Sequence, residues 1–591
     1  MVLHDWIYTR RARPAAWWGL AVLVLALAPS LSLAQSPPLG ASDADALRQL
    51  QRQREADQRR TLEQSPDVRL PAAPAAVNER LRDDESPCFV VREVRLAGVR
   101  DWPELAGRVW AFSGPTGDDA PIGRCLGAAS IGTLAARLQS ALVDGGFITT
   151  RVLVPAQDLS TGVLNLMVVP GRVHAVRLRE GSSPQVRLIN ALPLRPGDLL
   201  NLRGMEQALE NLQRVPGVKV DIQVEPARDS TDPGMSDLVV SYAGGRQARM
   251  QFQVDDSGSA ATGRYPLSAT LSLDHALLLN DLFYVTVNRD VDWLRGSVRD
   301  RPQPHPSIGG QVFHYSLPWG YSQVGVTFSR NGYRQVVAGA TRDYVYRGTS
   351  SNGELKLSHT LWRTQQLKVQ AWAKLFGRGS RNFIDDTEVE VQRRRVGGWE
   401  AGLNVKRVGG DVNGEAEVSV KRGTGVFHAL QAPEEAFGEG TSHVRLAQGT
   451  ASLSGALPLG ARRLQLSTQW RGQVALQPLT PQDRFSIGGR YTVRGFDSDR
   501  TLTADHGLLI RNEAELPLLE QLSTYVGIDT GWVAGRGVER LAGRHLAGAV
   551  LGARWRYGGA QLDVFAGTAL QAPSNFPSGH WVTGFSLSYS P

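Results

Sequence analysis

The sequence predicts a mostly β chain: a 16-stranded antiparallel transmembrane β-barrel over residues 246–591, preceded by two small α/β modules and an N-terminal polar helix. Three observations predict it. From about Arg249 to Pro591 helical periodicity disappears and apolar residues fall on alternate positions. In Leu367-Lys368-Val369-Gln370-Ala371-Trp372-Ala373-Lys374-Leu375 every odd position is apolar. About sixteen such runs, at roughly 21 residues per strand and connection, suit strands of about 9–11 residues crossing a bilayer. Finally, the chain opens with an export signal, and no later stretch reaches about 18 continuous apolar residues, the length of a helical span. The apolar fraction of 42% looks soluble, yet a membrane barrel shares it because half of each strand faces water. On these runs alone a large soluble β-sandwich or propeller also fits, although no blade-like repeat is present.

The elements follow in order. Residues 1–34 read as a secretory signal peptide. Arg10, Arg11 and Arg13 precede the apolar run Ala15 to Ala28, and Ser32-Leu33-Ala34 supplies small residues for cleavage before Gln35. Within residues 35–64, the stretch from Ser42 to about Gln64 reads as a polar helix capped by Ser42 or Asp43. Its apolar stripe (Ala44, Leu47, Leu50, then Leu62) is too thin for a core helix. A solvated arm and a helix standing in a water-filled pore both fit. Residues 65–87, with Pro66, Pro71, Pro74 and Pro87, read as an extended linker.

Residues 88–170 form the first α/β module. Phe89 to Leu96 is strand-like. Ile131, Leu134, Ala135, Leu138 and Leu142 recur at helical spacing until Gly145-Gly146 stops them. Phe147 to Val154 and Val163 to Val169 are strands. Residues 171–245 repeat the order, with strands at Val173 to Arg179, Val218 to Val224 and Leu238 to Tyr242 and a helix marked by Met205, Ala208, Leu209 and Leu212. Both modules read as β-α-α-β-β. Cys88 and Cys125 are the two cysteines. An isolated pair in an oxidising compartment reads as a disulfide, and it lacks the further ligands of a zinc site.

Several functions are excluded. The net charge is +8, but Lys and Arg are scattered without a basic block or nucleic-acid motif. Attraction to anionic headgroups or lumenal ion pairing accounts better for it. The histidines lie outside any Ser/His/Asp motif, so no enzyme, cofactor or metal is expected. The sharpest signal pairs Val493-Arg494-Gly495-Phe496, in a Gly-rich loop at about 483–506, with Asp529. In the run Ser523 to Trp532, Asp529 shares the less apolar face with Ser523, Tyr525 and Gly527. A buried lumenal carboxylate there needs a cation, and Arg494 offers a bidentate one.

The order of parts and several strings resemble the outer-membrane transporters of two-partner (type V) secretion, the TpsB family of ShlB/FhaC/HecB-like haemolysin and adhesin secretion/activation proteins. The strings are Cys88-Phe89, Gly123-Arg124-Cys125-Leu126, Gly146-Phe147-Ile148-Thr149-Thr150-Arg151-Val152, Gln157-Asp158-Leu159 with Gly162, the twelve residues Phe485 to Phe496, and Arg511-Asn512-Glu513. The resemblance implies that the modules are POTRA domains (POTRA 1 at 88–170, POTRA 2 at 171–245), that the polar helix plugs the pore, and that the Arg494 loop (about 483–506) is a long inward-folded loop between strands eleven and twelve. Asp529, flanked by Gly527 and Gly531, would then be its wall partner in strand thirteen. The implied partners are a large secreted exoprotein (adhesin, haemolysin or contact-dependent toxin) recognised through its N-terminal secretion domain, outer-membrane lipid, and the barrel-assembly machinery. The implied location is the bacterial outer membrane, with the POTRA domains in the periplasm. The rivals are an assembly factor of the same superfamily, an outer-membrane hydrolase and a diffusion porin.

Overall fold

The computed structural model describes residues 41–63, 66–70, 79–114, 117–184, 186–215, 217–244, 247–259, 262–291, 307–338, 341–497, 500–576 and 579–591. The expected signal peptide, residues 35–40 and Gln64 lie outside these.

Sixteen strands close one antiparallel barrel. They are β1 (Ala248–Asp255), β2 (Pro266–Asp274), β3 (Leu282–Asp290) and β4 (Ser307–Trp319). Then come β5 (Ser322–Ala338), β6 (Asp343–Arg363), β7 (Leu367–Ile384) and β8 (Arg394–Arg407). Next are β9 (Val412–Thr424), β10 (Arg445–Leu459), β11 (Arg462–Ala475) and β12 (His506–Pro517). The last are β13 (Leu522–Ala534), β14 (His545–Tyr557), β15 (Ala560–Gln571) and β16 (Val582–Tyr589). A two-residue strand, Thr387–Glu388, adds to β7 alone. The seam between β1 and β16 is short, running from Asp255–Ser586 to Phe252–Tyr589.

Alternation sorts the two faces. On β13, Val526 and Ile528 are exposed on the outer wall, whereas Tyr525 and Asp529 are buried inside. On β7, Leu375 faces out, and Trp372 and Phe376 face in. The outward face is apolar because it meets lipid; the inward face carries Ser, Thr, Asn and charged residues because it meets water and other polar side chains.

The two modules share one topology. In the first, Glu93–Ala97 pairs parallel with Val163–Val169, which pairs antiparallel with Arg151–Leu153. The helix α2 (Ala128–Asp144) covers that sheet through Leu134, Leu138 and Leu142. In the second, Arg172–Leu178 pairs parallel with Met235–Ala243, and Lys219–Pro226 pairs antiparallel with it, under α3 (Leu202–Gln213). The first module begins earlier than Cys88. Leu81 sits in its core and its N–H donates to Asp119 Oδ2 at 3.0 Å, so the end of the expected linker belongs to the domain. The predicted strand from Phe147 also shortens to Arg151–Leu153, because Phe147 is buried in the core and residues 147–149 turn.

The second module docks on one end of the barrel. Asn190 Nδ2 donates to Leu279 O at 2.6 Å and Pro318 O at 3.1 Å, and Asn211 Nδ2 donates to Gly320 O at 2.7 Å. These bonds satisfy carbonyls of the β2–β3 and β4–β5 turns, so those turns mark the module end of the barrel.

Candidate functional site

Between β11 and β12 the chain folds into the barrel. Residues 476–505 contain a helical turn, Pro481–Asp483, and a small hairpin that pairs Phe485–Ile487 with Leu502–Ala504. Its base is pinned by Asp483, which receives Arg378 at 2.7 Å and Lys421 at 2.9 Å from β7 and β9. Its tip lies against the opposite wall, so the loop crosses the lumen. The apolar underside is buried: Phe485, Ile487, Val493 and Phe496 pack with Leu509, Val533, Leu546 and Phe576. Phe496 meets Phe576 edge-on at 5.7 Å, a favoured aromatic geometry.

At the tip Arg494 is 5% exposed and Asp529 0%. Arg494 Nε donates to Asp529 Oδ2 at 2.7 Å, Nη2 to Oδ1 at 2.9 Å, and the backbone N–H to Oδ2 at 3.0 Å. This is the bidentate fork that suits guanidinium to carboxylate. The third nitrogen, Nη1, donates to Glu513 Oε2 at 2.7 Å. Sequence reasoning did not assign Glu513 a role. It is held in turn by Arg554 at 2.6 Å, which also reaches Asp563 at 3.1 Å. Arg511 stands directly across from Asp529, its Nε 3.7 Å from Oδ2. The inward alternation of Arg511, Glu513 and Glu515 on β12 was the signal for this network.

The glycines explain the close fit. Gly495 adopts φ +101°, a region open to glycine, and an added Cβ would lie 2.5 Å from Thr568 O. On the wall, a Cβ at Gly527 would meet Arg494 Nη2 at 2.6 Å, and one at Gly531 would meet Ile487 at 2.9 Å. Gly548 and Gly567, unremarked in the sequence, complete the floor under Arg494 and Gly495.

Helix α1 (Ala41–Leu62) lies along the inner wall. Arg54 Nη2 donates to Ser268 Oγ at 3.0 Å and approaches Asp255 Oδ2 at 3.5 Å. Gln58 reaches the same Ser268 at 2.8 Å, and Arg59 reaches Glu354 at 3.1 Å and Thr327 at 3.2 Å. Gln49 donates to Pro481 O at 2.8 Å, joining the helix to the base of the inward loop. Among the described side chains of the helix, Leu62 supplies apolar packing, against Leu282, Tyr284 and Val312. A helix polar on nearly every side fits a polar lumen, which accounts for its thin apolar stripe.

Residues 66–70 are gripped between α3 and the barrel rim. Arg363 donates to Val68 O at 2.6 Å, to Glu210 Oε1 at 2.8 Å and to Glu206 Oε2 at 3.0 Å. Those two carboxylates accept the N–H groups of Val68 at 3.1 Å and Leu70 at 2.9 Å. Cys88 and Cys125 form a disulfide, Cα to Cα 5.2 Å, beside the short strand pair Phe89–Val90 and Cys125–Leu126. Nearby, burial pushes the Asp119 carboxyl up, but Arg137, the Leu81 N–H and Arg124 outweigh it and hold it at about 2.

Comparison with known proteins places this architecture. The family model for the haemolysin secretion/activation proteins ShlB/FhaC/HecB matches residues 234–555, and POTRA models match 119–171 (ShlB-type) and 172–226. The outer membrane transporter CdiB-2 of Burkholderia pseudomallei (strain 1026b) is 32% identical over 92% of this chain and 94% of its own. The hemolysin transporter protein ShlB of Serratia marcescens is 24% identical over 75% of this chain and 76% of its own. The solved structure of CdiB from Acinetobacter baumannii superposes with a TM-score of 0.79 at 28% identity, covering 93% of this chain and 99% of that one. Two POTRA domains, a closed 16-stranded barrel and the family match over more than half the sequence agree. The chain therefore belongs to the ShlB/FhaC/HecB family of two-partner secretion transporters, with its barrel in the outer membrane and its POTRA domains in the periplasm.

Proposed function

We propose that the chain captures an unfolded partner exoprotein in the periplasm, admits it to the lumen as α1 withdraws, and threads it outward past the Arg494 loop. The partner is a large adhesin, haemolysin or contact-dependent toxin whose N-terminal secretion domain adds along a POTRA strand edge. The observation that carries this reading is the polar seat of α1. Its contacts to Ser268, Thr327, Glu354 and the loop carbonyls are hydrogen bonds and ion pairs that water can replace. The Arg494–Asp529 pair holds the loop tip against the wall while the conduit changes shape, and Gly527 and Gly531 keep the room it needs. Folding of the cargo outside supplies the free energy. Barrel insertion draws on the outer-membrane assembly machinery, and lipid surrounds the finished barrel. Neither cofactor nor metal takes part, and the chain is a conduit rather than an enzyme.

The test locks the helix. Gln58 and Ser268 touch side chain to side chain at 2.8 Å. In Q58C/S268C a short bis-methanethiosulfonate cross-linker, which spans the gap a shortened Gln side chain leaves, should hold α1 in the lumen and abolish export of a co-expressed exoprotein, with export returning on mild reduction. Wild type given the same reductant controls for the native Cys88–Cys125 bond. Full export with the cross-link closed would refute the reading.

A further inference from the structure

The outer wall carries an unneutralised arc of arginines at the end away from the POTRA domains. On β9 the outward run Val418, Val420 ends in Arg422, and on β5 Val326, Phe328 ends in Arg330. Arg395 follows Gly397 and Trp399 on β8, and Arg445 stands at the outer end of β10. Arg330, Arg422 and Arg445 are exposed and Arg395 is half-buried. Among the described residues none of the four side chains has an ion pair or hydrogen-bond partner. Arg422 and Arg445 are directly opposed across the β9–β10 ladder. Like charges so placed repel, and no carboxylate lies between them to offset the cost. The matching outer ends of β11, β13 and β15 carry Val474, Trp532 and Leu570 instead, so the arc is one-sided.

A second observation lies between these arginines. After β9 the chain turns down over the outside of the barrel at Val426–His428. Phe427, at φ +58° and ψ +34°, and His428, at φ +55°, both occupy the left-handed region, which non-glycine residues adopt at a cost. This turn lays the Phe427 ring in a notch over Gly377 and Gly397, where an added Cβ would stand 3.4 Å and 2.9 Å from it. The ring nonetheless stays 57% exposed, and Val426 47%. The Leu430 N–H closes the turn on Arg395 O at 2.8 Å.

We propose that this face binds the phosphorylated, multiply acylated glycolipid of the outer leaflet, lipopolysaccharide in class. Arg395, Arg422 and Arg445 take its phosphates, and the Val426–Phe427 hook packs among its acyl chains. Depth argues for a lipid, since each arginine lies just beyond the apolar run of its strand, at the level of headgroups. Side argues for the outer leaflet, since the POTRA domains mark the opposite end as periplasmic. Charge argues for phosphate, which accepts guanidinium bidentately. The inference extends the lipid contact named under the proposed function. It rests on the outer-membrane placement and not on the export route.

The test needs no cargo. The purified full chain in detergent is titrated with lipid A or with phosphatidylglycerol, and retained lipid is read by native mass spectrometry. The R395Q/R422Q/R445Q variant should bind lipid A on the order of 100-fold more weakly, given the contribution of headgroup-level arginines. R462Q/R463Q, at the periplasmic β10–β11 turn, should bind like wild type. Heat-modifiable gel mobility verifies folding. Should the triple variant not fold, R422Q and R445Q alone are read the same way, each expected to weaken binding several-fold. Wild-type retention of lipid A by the arginine variants would overturn the proposal. So would phosphatidylglycerol binding as tightly through the same arginines, which would reduce the site to general anion attraction.

Discussion

Replacing Arg494 by alanine removes three side-chain donors from two carboxylates. Glu513 keeps Arg554 at 2.6 Å, so its loss is small. Asp529 is fully buried and, among the described residues, keeps the Arg494 backbone N–H at 3.0 Å and Arg511 at 3.7 Å. Removing one partner of a buried pair costs about 3–5 kcal/mol, and the residual contacts and nearby lumenal water put this case at about 3. That shifts the balance between docked and undocked loop by roughly 100-fold. Hydrogen exchange at the amides of Arg494 to Phe496 should accelerate by that factor, because opening of the loop limits it. Export of the partner should fall alongside while the barrel still assembles. D529N, which keeps the shape, should cost about 1.5–3 kcal/mol by weakening charge-assisted hydrogen bonds. The double variant should cost little more than R494A alone, because the two residues act through one contact. The charge swap R494D/D529R should rescue poorly. Its relocated cation would face Arg511 across the ladder, and its relocated carboxylate would face Glu513. Unchanged exchange at the loop tip together with wild-type export in R494A would refute the reasoning.

Three further outcomes follow from other parts of the molecule. C88S/C125S opens a closure spanning 37 positions and should lower POTRA 1 stability by about 3–4 kcal/mol, read as a lower urea midpoint. The depressed Asp119 carboxyl contributes stability that is fully present above its unfolded value of about 3.9. That stability should be lost as pH falls through about 2, so POTRA 1 weakens between about pH 4 and 2, and D119N should flatten the dependence. R363A leaves Glu206 and Glu210 buried with weaker compensation from Arg203 and Lys368. It should loosen POTRA 2 from the rim by about 3 kcal/mol, seen as faster exchange in residues 202–213 with gel mobility of the barrel unchanged.

What could be read in advance was what period and composition encode. Alternation at Leu367 to Leu375 and in Ser523 to Trp532 assigns faces because a strand has only two. Arg494 and Asp529 stood out because a charge on such a face needs a partner. The rest depends on positions far apart in the chain. Glu513 and Arg554 look like ordinary polar residues of a water-facing alternation, and Asp483 like an ordinary loop carboxylate, until the barrel closes and brings β7, β9 and β12–β15 around one loop. Gly548 and Gly567 look like weak strand residues until the backbone of Arg494 and Gly495 lies directly against them. The start of POTRA 1 was placed too late because Leu81, a lone apolar residue among charges, gives no periodic signal. The arginine arc was equally silent, since Arg395, Arg422 and Arg445 come to one level of the wall only when the register of β8, β9 and β10 is set.

The grip of Arg363, Glu206 and Glu210 on residues 66–70 reaches past docking. Under the proposed withdrawal, α1 would stay leashed a few residues from where it sat. Its return is a unimolecular event at an effective concentration on the order of millimolar, set by a short tether rather than by the cell. On the proposed cycle the passage would carry its own stopper and reseal once the traffic ends.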